Sequence, residues 1–565
     1  MGLQTEVETR QLEQLLQAVD DLRRRVTALE QRQPAQANSQ SLLAPAPMVG
    51  GPAAVPELSS GLLPALGRLL LGIAGAYFLR AITEAHMLPQ LAGTVVGLLY
   101  AAAWLISFAR STSSDRVITA LQALTASLIA GPLIWEATIR FHSLSPAAAA
   151  LGLALFIVVG QVIGWRQNLS LIAGVTSLAG SVTAVALIIA TLDPIPFAIA
   201  LAAAAAVVEF GACRDRALPM RWIIAIAADF CAFLLIYVRT RPQGLPEGYA
   251  PVPIFAVIGI LIALVAIHVA SVVTRTLVRR QPIAWFEIGQ AATIVTLAIA
   301  GVLQVTHNST AGAVTGVSCL IAGTFCYLVS FTNLRARALI GRNFHAYATF
   351  GLLLATTGSL LLFPAAILAV LWSLVALFAM WLGEQRNGNT LRLQSAFYFL
   401  VGASASGLLA YTAESMTGAA GHRLTIGAVF CTVAAAAGYA LTLANHGSRV
   451  WTERIAPAIL AALVCWSMAG LAAGMFLAGP FDRALASTLR TALVCMIGVG
   501  LAWFGQRRRV SELIWLLYPW MAYGAIKLLA EDFRQGRPAT LFLSLLLYGG
   551  TLIALPRLWR RAKSA

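Results

Sequence analysis

The sequence predicts an all-α, polytopic membrane protein of about eighteen spans, folded as antiparallel helical hairpins behind a short coiled coil. Three observations predict it. Hydrophobic residues fill 59% of the 565 positions and charged residues only 11%, too few to cover a soluble surface. Beyond residue 60 the apolar residues gather in runs of about twenty, the length that crosses about 30 Å of hydrocarbon at about 1.5 Å per residue. Arg and Lys crowd into every second gap between those runs.

The charge pattern also bounds the partners. A net charge of +16 would suit a nucleic-acid-binding protein if it formed one patch or one helix face. Here the basic residues lie between membrane-length runs, so the partner they imply is the lipid bilayer and not nucleic acid. The seven cysteines (Cys213, Cys231, Cys319, Cys326, Cys431, Cys465 and Cys495) form no C-x-x-C pair, and all but Cys213 lie inside apolar runs. They read as small buried apolar residues, with no disulfide framework and no metal site. The first 35 residues are polar and charged, unlike a secretory leader, so the first span is expected to serve as the targeting signal.

Residues 1–33 place Leu12, Leu15, Val19, Leu22, Val26 and Leu29 alternately three and four apart, the a/d seam of a coiled coil. Arg23, Arg25 and Glu30 flank the seam at e and g positions. With fewer than three heptads the helix is marginal alone. It therefore pairs with a second copy (a homo-oligomer) or with a protein partner, or else rests as an amphipathic helix on the bilayer or on the protein's own loops. Residues 34–61, rich in Pro, Ala, Ser and Gly, are a flexible linker.

The transmembrane domain, residues 62–556, divides into runs at 62–79, 90–108, 117–135, 146–164, 168–190 and 194–212. The next are 221–238, 252–273, 285–303, 311–331, 344–362 and 364–383. The last are 394–412, 423–443, 455–476, 485–504, 511–530 and 538–555. Two divisions rest on proline: residues 344–383 are too long for one crossing and are split at Pro364, and Asp193-Pro194 with Pro196 divides another run. A basic tail, 557–565, carries Arg557, Arg560, Arg561 and Lys563.

Alternate gaps hold clusters such as Arg214, Arg216 and Arg221; Arg275, Arg279 and Arg280; and Arg507, Arg508 and Arg509, and the opposite gaps hold less than half as many. The positive-inside rule makes the basic gaps, the coil and the tail cytoplasmic, which requires an even number of spans. Trp104, Trp135, Trp165, Trp222, Trp285 and Trp503 fall near predicted helix ends, as interfacial belts do. Small-xxx-small pairs at Gly160 and Gly164, Gly312 and Gly316, and Gly470 and Gly474 read as helix packing.

Phosphate-loop, zinc-helix and nucleophile-elbow signatures are absent, no loop is long enough for a catalytic domain, and the sequence calls for no cofactor. The candidate residues lie instead at the predicted outer helix ends. The first span exits through Arg80, Glu84 and His86, the third through Glu136, Arg140 and His142, each an opposite-charge pair four apart with a histidine two later. If helical, each pair shares one face and forms an ion pair. The penultimate span ends in Lys527, Glu531 and Asp532; Glu414, His422, Asp482, Arg483 and Arg490 lie at the same depth. These groups make either one polar vestibule for a polar or anionic ligand or for protons, or separate pairs that neutralise themselves.

Asp229 stands apart, about midway along its span, where a charge costs at least about 2.5–3.5 kcal/mol. It is expected to face protein or water, as a proton or ion relay or as a hydrogen-bonded structural aspartate. Glu209, Glu287 and His268 lie nearer cytoplasmic ends, with room to snorkel to the surface.

The opening, with its polar coil, Pro/Ala linker and Gly67-Arg68-Leu69-Leu70-Leu71-Gly72 leading to Tyr77-Phe78-Leu79-Arg80, resembles that of a family of uncharacterised bacterial integral membrane proteins classed as a domain of unknown function. Ala525-Ile526-Lys527-Leu528-Leu529-Ala530-Glu531-Asp532-Phe533 is similar to that family's lysine-to-aspartate turn before the last span. The resemblance implies a bacterial cytoplasmic (inner) membrane location and a many-helix body, makes Arg80, Lys527 and Asp532 family-like positions, and implies no activity. Three function classes follow from the residues. A transporter-like or ligand-binding protein needs a polar path continuing past Asp229 to the cytoplasm. An envelope enzyme acting on a lipid-linked or saccharide substrate needs convergent carboxylates in an outer pocket. A non-catalytic scaffold or sensor recruiting partners through the coil needs neither.

Overall fold

The computed structural model describes residues 62–561 except 86, 110–115, 217–219, 246, 307–308, 335–340, 387, 419–422, 445–450, 477–481, 509 and 536. The predicted coil 1–33, the linker 34–61, His86, His422 and the last residues of the basic tail lie outside the described residues. Within them the chain is helical throughout, without strands.

Nineteen helices follow in order. They are α1 Leu62–Glu84, α2 Gln90–Ala109, α3 Arg116–Ile139, α4 Pro146–Gln167, α5 Ser170–Thr191, α6 Pro194–Cys213 and α7 Trp222–Arg239. Next come α8 Ile254–Val273, α9 Trp285–Thr306, α10 Ser309–Leu328, α11 Arg342–Leu362, α12 Ala365–Gln385 and α13 Asn389–Ala405. The last are α14 Leu408–Thr417, α15 Ile426–Ala444, α16 Ile455–Phe476, α17 Arg483–Arg507, α18 Ser511–Lys527 and α19 Pro538–Arg561. Every predicted run coincides with helix. By length and apolarity fourteen of the helices can cross a bilayer, or up to fifteen crossings if the bent pair α13 and α14 is counted as one. The apolar perimeter agrees with a lipid surrounding: Leu71, Phe255, Ile426, Trp515 and many other large apolar side chains stand exposed.

Both proline-based divisions hold, and for local reasons. Leu192 adopts a left-handed conformation (φ 55°) that ends α5, and Pro194 opens α6 at a position where a missing N–H costs nothing. Phe363 is extended (φ −119°, ψ 144°) because the ring of Pro364 disfavours helix at the preceding residue. The predicted run 394–412 differs: it is two helices bent by 68°. Gly407 sits between them at φ 74°, a conformation open to glycine at no steric cost.

Consecutive helices pack as hairpins, among them α2 with α3, α4 with α5, α8 with α9, α10 with α11, α12 with α13 and α17 with α18. α10 and α11 approach closely along several turns. A Cβ on Gly358 would come within 2.7 Å of the Gly316 carbonyl oxygen, and one on Gly323 within 3.1 Å of the Gly351 carbonyl oxygen. Bare backbones therefore touch, the contact that small residues permit where no hydrophobic effect drives helices together. The largest apolar core joins α3–α9, with Phe197 and Leu201 of α6 inside it. A second joins α11–α16 around Phe399 and Trp372, and a third joins α14 and α16–α19 around Trp520.

Three helices end in a wider π turn: Thr274–Val278 after α8, Val329–Leu334 after α10, and Leu528–Asp532 after α18. Such turns pair residues five apart. Two of the three carry charged side chains into the interior.

Candidate functional site

The first predicted charge group assembles, with an exchange of partners. Arg80 binds Glu84 on its own helix (Nε to Oε1, 3.1 Å) and also Glu136 of α3 (Nη1 to Oε1, 2.8 Å). Arg140 reaches across to Glu84 at 3.0 Å instead of pairing with Glu136. Arg140 follows the last residue of α3, its N–H still bonded to the Glu136 carbonyl at 2.9 Å, and its side chain crosses to α1. The four side chains form one alternating ladder that ties α1 to α3. All are partly exposed, which limits what the ladder contributes to stability. His142, at φ 49°, turns the chain away from the ladder and lies exposed.

The second group is buried. Lys527 Nζ donates to the Ser487 carbonyl (2.7 Å), Thr491 Oγ1 (2.7 Å) and Asp532 Oδ1 (2.9 Å), with Glu531 Oε2 at 3.5 Å. Asp532 also accepts from the hydroxyls of Ser487 and Thr491, and Glu531 is paired with Arg490. The π turn makes this possible: Lys527 and Asp532, five apart, meet there, whereas on a regular helix they would diverge by about 140°. The result is a buried clasp between α17 and α18 in which both carboxylates are paired. Arg490 further packs on Gly418, the left-handed cap of α14. Asp482 pairs with Arg537 at 3.2 Å. No hydrogen bond or ion pair among the described residues joins this clasp to the α1–α3 ladder.

A third group, dispersed in the sequence, is the most connected. Arg275, in the π turn after α8, pairs with Glu287 of α9; Glu287 also takes Arg221 at 2.5 Å. Arg221 lies 3.6 Å from Glu209 of α6. Glu209 accepts from Ser271 at 2.5 Å and has His268 Nδ1 at 4.0 Å. Gln290 Nε2 stands 3.4 Å from His268 Nε2 and donates to Asp229 Oδ2 at 2.8 Å. Glu209, Glu287 and His268 are thus buried and joined, not snorkelling. They run from the helix ends to Asp229, eight residues into α7 from Arg221, a rise of about 12 Å.

The charges in this file balance up to its last member. Arg221 and Arg275 offset Glu209 and Glu287, and the Gln290 amide, 3.4 Å from His268 Nε2, suits a neutral imidazole that accepts there. Asp229 alone has no cation opposite it, and its Oδ1 is buried with no hydrogen-bond partner. One turn beyond, the same faces carry Leu264 after His268, Ile294 after Gln290 and Ala232 after Asp229, all buried in the apolar core. The polar file therefore opens at one end and stops at Asp229. Chemically, such an end can take up and release a proton or hold a small cation.

Sequence reasoning placed Asp229 by its depth, but it treated Glu209, Glu287 and His268 one by one and passed over Arg221, Arg275, Ser271 and Gln290 as members of a site. The available signal was coincidence of depth, four polar positions on four successive helices within two turns of their ends. Among the described residues no group of three or more His, Cys, Asp and Glu side chains is placed to hold a metal ion. Comparison of the chain with protein-family models, with curated proteins and with solved structures finds no match.

Proposed function

We propose that the protein is a transporter-like membrane protein in which Asp229 exchanges a proton or small cation through the α6–α9 polar file. The observation that carries the reading is the buried file of charged and polar side chains, spaced 2.5–4.0 Å apart, that ends in the one acid of the group without a cation. By the positive-inside pattern the file opens to the cytoplasm, in a body of eighteen crossings in a bacterial inner membrane with both termini cytoplasmic. The outer ladder and the α17–α18 clasp fit helix fastening, since their carboxylates are occupied by the protein's own cations. That same occupancy disfavours an envelope enzyme, which needs carboxylates free to reach a substrate. The coil 1–33 then serves to pair copies or to hold a partner.

The test is potential-driven ion uptake into proteoliposomes holding a H⁺-, Na⁺- or K⁺-sensitive dye, each with the matching ion gradient. The expected result is uptake of one of these ions that Asp229→Asn abolishes and that Glu84→Gln and Glu136→Gln leave intact. Equal uptake by wild type and Asp229→Asn would refute the reading.

A further inference from the structure

The hairpin α8–α9 has two unlike faces. One presents His268, Ser271, Glu287 and Gln290 to α6 and α7. The other lines a cleft of about 950 Å³ whose far wall is the α10–α11 hairpin. The cleft wall is almost wholly apolar, with Ala266, Val269, Ala298, Val302, Ser318 and Phe325 representative of it. On α9 it runs from Ala291 to Thr306, a rise of about 22 Å, most of the thickness of the hydrocarbon core.

We propose that this cleft holds the acyl chains of one anionic phospholipid, with its headgroup on Arg280 and Arg342. Water cannot fill a space of this size with so few hydrogen-bonding groups around it, and dry cavities in proteins are far smaller. The cleft is open sideways: Ile262, Val314 and Phe325 are 60%, 67% and 48% exposed, so lipid chains reach it directly from the bilayer. Its basic end supplies the charge complement. There Asp215 is taken by Arg279, and Glu287 by Arg275 and Arg221. Arg280, exposed three residues before the lining residue Ile283, and Arg342 keep no carboxylate partner among the described residues. Arg342 leans over the Trp285 ring at 5.7 Å, from one hairpin to the other, and lies one helical turn from the lining residue Ala346. A basic pocket between helices with an apolar groove below it is the arrangement that recognises acidic headgroups. The inference rests on the cleft and its rim, and stands whether or not Asp229 exchanges ions.

Native mass spectrometry of the full-length protein, extracted in mild detergent from bacterial membranes, tests it. The expected spectrum keeps one phosphatidylglycerol- or cardiolipin-mass adduct per chain through extended washing. Ala266→Phe with Ala298→Phe, which fill the cleft, should lower the bound fraction at least tenfold, and Arg280→Gln with Arg342→Gln should lower it several-fold. Should the filled variant fail to fold, wild type answers alone: its melting temperature in neutral detergent should rise on adding phosphatidylglycerol and not on adding phosphatidylcholine. Loss of all lipid on washing, equal retention of neutral lipid, or retention unchanged in a folded variant would each overturn the proposal.

Discussion

Asp229→Asn is expected to abolish ion exchange while leaving the protein as stable as before or more so. An ionised aspartate at mid-helix costs about 2.5–3.5 kcal/mol. Asp229 recovers part of this through one hydrogen bond, from Gln290 at 2.8 Å, worth about 1.5–3 kcal/mol to a charged acceptor. Its other oxygen has no hydrogen-bond partner. Asparagine keeps the volume and, through its amide oxygen, keeps a neutral version of the Gln290 bond worth about 0.5–1.5 kcal/mol. The exchange removes the charge burden, weakens one bond by about 1 kcal/mol and still leaves a buried polar atom, for a net change between zero and about 2 kcal/mol in favour of the variant. Denaturant unfolding in mild detergent reads the stability, and proteoliposome uptake on the same preparation reads the function. Destabilisation by about 3 kcal/mol or more, the signature of a broken buried pair, would refute the reasoning and make Asp229 a structural residue.

The opposite behaviour is expected of Lys527→Met, which strands Asp532 in a buried site; the same unfolding assay should show a loss of about 3–5 kcal/mol. Arg80→Met should cost less than about 1 kcal/mol, because the ladder it leaves is partly solvated, and a loss as large as that of Lys527→Met would contradict the difference in burial. Gly358→Val should part α10 from α11 at a cost of about 1–3 kcal/mol, visible as lowered yield and earlier unfolding, whereas Gly289→Ala, where added bulk meets open space, should be silent. A cysteine in place of Arg508 should react with an impermeant reagent only in inverted vesicles; labelling of intact cells would reverse the proposed topology.

Helix positions were legible because hydrophobic run length and proline placement are local properties. Pro364 and Pro194 act on the residue beside them, so their breaks could be read without tertiary information. The bend at Gly407 could not, since nothing in 394–412 distinguishes a glycine at φ 74° from one inside a straight helix. The candidate groups divide in the same way. Arg80 and Glu84 pair as their spacing predicts, but Arg140 pairs across helices with Glu84, a tertiary contact that spacing along one helix does not encode. The inner file was least legible. Glu209, Arg221, His268 and Glu287 are up to 78 positions apart and meet only through the packing of α6–α9, which sequence periodicity does not encode.

The π turn at Leu528–Asp532 sets a reading frame for the end of α18. Inserting one residue beside Leu529 would place Asp532 six positions after Lys527, about 120° away on a regular helix, and swing it from Lys527, Ser487 and Thr491 together, although no charged residue had been altered. Alanine scanning of Leu529, an exposed side chain, would pass over this entirely. Length in this turn is therefore itself a structural variable: one residue more decides whether Lys527, Thr491 and Ser487, five, 41 and 45 positions away, find their partner.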